Sequence, residues 1–83
     1  MDATIITVTP SAGDMFIVAK RGDEEVARVY ATPAETDNAI TAMIAHLLEV
    51  TLVADDLTPE NAKATRARLM KQAGAGLKVV KAA

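Results

Sequence analysis

The side chains most able to do chemistry in this chain are few and scattered. His46 is the only histidine, Ser11 the only serine, and there is no cysteine. On a helix, His46 and Glu49 stand at i, i+3 and could share a metal ion, with Asp55 or Asp56 as further ligands. A metal site takes three or four such ligands, and a solvated helix histidine is the simpler account. Asp55, Asp56 and Glu60 form a carboxylate cluster of the kind that holds Mg²⁺ or moves protons. Acids just ahead of a helix are also ordinary partners for its positive end. Ser11 lies in a turn-forming run, Pro10 to Asp14, and nothing orders it beside His46 and an acid. Gly74-Ala75-Gly76 follows a helical pattern instead of opening one, which is the wrong context for a phosphate cradle. Arg21-Gly22-Asp23 reads as a hairpin turn. The sequence therefore assigns no catalytic, metal or cofactor residue, and the expectation is a protein that binds and does not catalyse.

Charge is the stronger signal. Residues 1–61 hold all eleven acids and only Lys20, Arg21 and Arg28, a net charge of −8, whereas residues 62–83 hold six cations and no acid, +6. Asp14, Asp23, Glu24, Glu25, Glu35 and Asp37 fall in turns and at a helix start. Such acids can mimic a phosphate backbone and occupy a basic groove, so they are the expected contacts to a larger protein partner with a basic surface. Lys63, Arg66, Arg68, Lys71, Lys78 and Lys81 supply the alternative, salt-sensitive contacts to nucleic-acid phosphates. An acidic chain with pI ≈ 5.2 and only Phe16 and Tyr30 as aromatics offers little for base stacking, so protein is the preferred partner.

The elements that must position these groups follow from pattern. Thr4 to Thr9 is β-branched at every position and predicts a strand, with Ile6 and Val8 on one face and Ile5, Thr7 and Thr9 on the other. Met15 to Lys20 predicts a second strand and Glu25 to Ala31 a third, joined by a turn in which Gly22 is free to take positive φ. Thr32-Pro33-Ala34-Glu35 predicts a capping box opening a helix over 33–54, whose stripe is Ala39, Ile40, Met43, Ile44, Leu47 and Leu48. Thr58-Pro59-Glu60 predicts a second helix by the same chemistry, ended at Gly74. Residues 77–81 fit a fourth strand or a tail. The expected fold is α+β: an antiparallel meander of three, or with 77–81 four, strands packed on two helices in the order β-β-β-α-α(-β).

At 83 residues the chain is sized for one domain, 1–83, divided into an acidic body (1–61) and a basic C-terminal helix and tail (62–83). Its core is aliphatic and shallow, which favours help from a second copy as a homodimer. No apolar run approaches the roughly 20 residues of a membrane span, and the start carries no basic n-region of a secretory signal. With no cysteine, a cytoplasmic location is expected.

The run Thr4-Ile5-Ile6-Thr7-Val8-Thr9, the Pro/Gly turn, the stretch Met15 to Val29 and the alanine-rich Ala39-Ile40-Thr41-Ala42-Met43-Ile44-Ala45 together resemble, in outline, some small phage-encoded type I anti-CRISPR proteins. The resemblance covers about the first two-thirds of the chain. It implies a phage or mobile-element inhibitor that binds a CRISPR–Cas surveillance complex stoichiometrically in the bacterial cytoplasm. The alternative is a small dimeric nucleic-acid-associated regulator using the basic C-terminal segment.

Overall fold

The computed structural model describes residues 3–52 and 57–81. The β-branched opening run forms β1 (Thr4–Ser11), which turns at Ala12-Gly13 into β2 (Asp14–Arg21) and then at Gly22-Asp23 into β3 (Glu24–Ala31). Gly22 takes φ 64°, as the turn requires, and the first turn takes φ 51° at Ala12 and 88° at Gly13. Residues Leu77–Lys81 form β4. It lies beside β1 and runs parallel to it, with Thr4 opposite Leu77 and Ile6 opposite Val79, so the sheet order is β3-β2-β1-β4. A parallel neighbour needs a long crossover, and the two helices supply it.

The period-2 alternation sorts the sheet into two faces. Ile6, Val8, Ile17, Ala19 and Leu77 are buried on one of them. Helix α1 (Thr36–Leu47) and helix α2 (Ala62–Ala73) pack against each other over this face, α1 touching β3 and α2 touching β4. Ile40, Met43 and Ile44 from α1 and Leu69 from α2 complete the core. Each such side chain contributes about 1.5–3 kcal/mol on burial. Thr41, fully buried, joins the helices: its hydroxyl lies 2.8 Å from the Asp37 carbonyl and 3.0 Å from the Ala62 carbonyl.

Both helix starts depart in detail from the expected capping boxes. The Thr32 hydroxyl donates to the Glu35 carboxylate at 2.7 Å instead of accepting from a backbone N–H. Pro33–Glu35 form a 3-10 turn, and the α-helix begins at Thr36. At the second start the reciprocal pair is Thr58 with Asn61, not Glu60. The Thr58 N–H donates to Asn61 Oδ1 (2.7 Å) and the Asn61 N–H to Thr58 Oγ1 (3.3 Å). Asn61 stands three residues on, where a capping box places its partner.

Helix α1 is also shorter than the 33–54 expected, ending at Leu47. The chain leaves it through Glu49 at φ 58°. The Glu49 N–H bonds the His46 carbonyl (3.1 Å) and the Val50 N–H the Ala45 carbonyl (2.8 Å), the two hydrogen bonds of a Schellman stop. A glutamate fills the left-handed position that glycine usually takes, so the stop carries no sequence signal. Residues 53 and 54 of the expected helix lie outside the described residues. At the other end of the crossover, Gly74 takes φ 64° as α2 gives way to β4.

Candidate functional site

Among the described residues the sheet face opposite the helices has no layer over it, and its side chains come from all four strands. The strand register arranges them in four rows, the last being Ser11 and Asp14 at the β1–β2 turn. Tyr30, Phe16 and Thr9 form the first; Arg28, Val18, Thr7 and Val80 the second; Glu25, Lys20, Ile5 and Lys78 the third. Ile5 (42%), Val80 (48%) and Tyr30 (60%) are the exposed large hydrophobics among the described residues, and all three stand on this face.

A β-bulge builds the aromatic corner. Ala19 pairs with Ala27 but Lys20 with Glu25, which leaves Val26 as an extra residue in β3. On a regular strand residues three apart point to opposite faces. The bulge cancels that alternation and returns Glu25 to the same side as Arg28. The two then meet in a bidentate pair, Arg28 Nε to Glu25 Oε2 at 2.8 Å and Nη2 to Oε1 at 2.9 Å. This hydrogen bonding, and next the carboxylate's charge, raise the Arg28 pKa above its ordinary value, so the guanidinium is a fixed cation. Its Cζ lies 5.8 Å from the Phe16 ring centroid, within cation–π range. Phe16 in turn stacks on Tyr30, centroids 4.6 Å apart and planes inclined by 24°. Both aromatic residues of the chain are thus in one contact, on the uncovered face.

The acids expected to bind a partner divide between the two ends of the sheet. Asp14, Glu35 and Asp37 lie toward the β1–β2 turn and the start of α1; Asp23, Glu24 and Glu25 lie at the β2–β3 turn. The eight residues of β2 separate the ends by about 23 Å at 3.3 Å per residue. Glu25 is held by Arg28, Glu35 by the Thr32 hydroxyl, and Asp37 by Arg66 (3.3 Å) and Lys63 (3.9 Å).

The six C-terminal cations do not share a surface either. Lys63 and Arg66 turn to Asp37 of α1, where they offset charge within the fold. Arg68 and Lys71 are exposed on α2. Lys78 stands on the uncovered sheet face, and Lys81, opposite Val8, on the helix side. His46 is exposed in the last turn of α1. Asp55 and Asp56 lie outside the described residues. Among the described residues no group of three potential metal ligands comes together, and no helix is long and apolar enough to cross a membrane.

Sequence reasoning passed over the site because Phe16 and Tyr30 are too few to signal a binding platform, and only the bulged register makes them neighbours. The signal present was Ile5, alternating with buried Ile6 and Val8. Fold and site together define a two-layer α+β domain with one sheet face uncovered. No protein-family model, no curated protein and no solved structure matches the chain.

Proposed function

We propose that this protein is a small non-catalytic protein-binding module whose working surface is the uncovered sheet face. The observation that carries the reading is the gathering of Ile5, Val80 and Tyr30 on that one face. Contiguous exposed apolar surface rimmed by charge is the mark of an interaction site. Aromatic and arginine side chains are the residues that most often dominate binding energy at such sites. The rim here is Lys20, Glu25, Arg28 and Lys78. The sheet edges, by contrast, are guarded. The β3 edge carries the bulge and the Glu25–Arg28 pair, and β4 is five residues long with two lysines. Both are devices that discourage strand addition, so binding is assigned to the face.

The resemblance to anti-CRISPR proteins gives this module a setting: stoichiometric inhibition of a bacterial defence complex, reached by surface burial without chemistry. Immobilised full-length chain, offered to a bacterial lysate, should retain a protein partner that a Val18→Lys chain does not. A partner held equally by both chains would move the site off the sheet face, and no retained partner would count against the module itself.

A further inference from the structure

We infer that the uncovered face fits a second copy of this chain, packed face to face with β2 antiparallel over β2 and Asp14 of each copy opposite Lys20 of the other. The inference rests on the reading of the face as a protein-binding surface and names its partner.

The outward row of β2 reads Asp14, Phe16, Val18, Lys20: acid, aromatic, aliphatic, cation. A row in this order complements its own reverse. A two-fold axis crossing β2 at Ile17 sets Asp14 against Lys20 and Phe16 against Val18, the self-matching that a two-fold interface requires. The neighbouring strands obey the same axis. Tyr30 is level with Phe16 and Arg28 with Val18, so Arg28 of one copy lies over the exposed Tyr30 ring of the other, a further cation–π contact. Thr9 and Thr7, level with the same two residues of β2, meet across the axis. An axis along the strands would instead seat Lys20 on Ile5 and Arg28 on Val80, placing cations on aliphatic side chains. That arrangement pairs Glu25 with Lys78 but desolvates Lys20 against Ile5 with no partner.

The charge on the face agrees with this occupant. Lys20, Arg28 and Lys78 are nearly balanced on this face by Asp14 and Glu25. A phosphate backbone would need a more strongly basic surface, whereas a second copy needs only the alternation of sign that β2 provides.

The test is light scattering and sedimentation of the full chain at about 100 µM, where an interface at the small end of the stable range should be occupied. The expected mass is twice the 8.7 kDa of one chain. Val18→Lys, and separately Tyr30→Lys at a site already 60% exposed and opposite Arg28 of the other copy, should give monomers with unchanged circular dichroism. Arg68→Glu on the exposed side of α2 should leave the dimer intact. Asp14→Lys and Lys20→Asp should each weaken dimerisation about tenfold, since each alters two symmetry-related pairs, and the double variant should restore it. A monomeric wild type, a dimer that survives Val18→Lys and Tyr30→Lys, or a double charge variant as weak as the singles would overturn the inference. A monomeric wild type whose lysate partner is still lost with Val18→Lys would leave the protein-binding reading standing and remove only the second copy.

Discussion

Replacing Glu49 by glycine should make this protein more stable, although it deletes a side chain and adds backbone freedom. Glu49 closes α1 at φ 58°, a conformation that costs an L-residue with a Cβ about 1–2 kcal/mol and glycine almost nothing. Its negative charge also stands at the negative end of the helix, a further few tenths of a kcal/mol on an exposed site. Glycine returns about 0.5–1 kcal/mol through the greater freedom of the unfolded chain. The balance is a gain of about 1 kcal/mol, which raises the midpoint of a domain this size by roughly 4–8 °C. Thermal unfolding followed by circular dichroism, at matched protein concentration because self-association shifts the midpoint, measures it. Glu49→Gln isolates the charge contribution and should recover only a small part of the gain. A Glu49→Gly midpoint no higher than that of Glu49→Gln would refute the argument from backbone strain.

Three further outcomes are expected. Ala12→Asn should stabilise by about 0.5–1 kcal/mol in urea unfolding, because the turn from β1 to β2 takes positive φ at both central residues and asparagine tolerates this better than alanine. Thr41→Val, nearly isosteric, should lower stability by about 1–2 kcal/mol by leaving the Ala62 carbonyl without the hydroxyl that reaches it at 3.0 Å. A double-mutant cycle on Asp37→Ala and Arg66→Ala should give a coupling no larger than about 1 kcal/mol that shrinks as salt is raised, since the pair is partly exposed.

The strands were legible because β-branched runs and a glycine turn leave little choice. The alternation in Thr4 to Thr9 also marked Ile6 and Val8 as a face of their own, and both are buried. The end of α1 was illegible for the opposite reason: hydrogen bonds to Ala45 and His46, and no particular residue type, stop the helix at Glu49. The second helix start was read a turn early, α2 beginning at Ala62, and with the wrong partner, since Asn61 does for Thr58 what a glutamate usually does. The aromatic corner depended on register. A regular hairpin from Arg21 opposite Glu24 would set Phe16 opposite Val29 and turn Tyr30 toward the helices. The extra residue at Val26 moves Phe16 to Tyr30, and no local preference announces a bulge at a valine. The charge division near residue 61 was visible at once. Its meaning was not, because Asp37 reaches across to Arg66 only after the two helices pack.

The parallel pairing of β4 with β1 has a consequence in time. Thr4 and Leu77 are neighbours in the sheet, 73 residues apart in sequence. Of the four strands, the one synthesised first is therefore the last to be enclosed. The β1–β2–β3 meander can form early from local turns, yet the outer edge of β1 stays open until the five-residue β4 emerges and the crossover closes over it. Contacts of such long sequence separation slow folding, and an unpaired strand edge is the surface through which nascent chains aggregate. The vulnerable interval is set by translation through residue 81, and β4, short as it is, ends it.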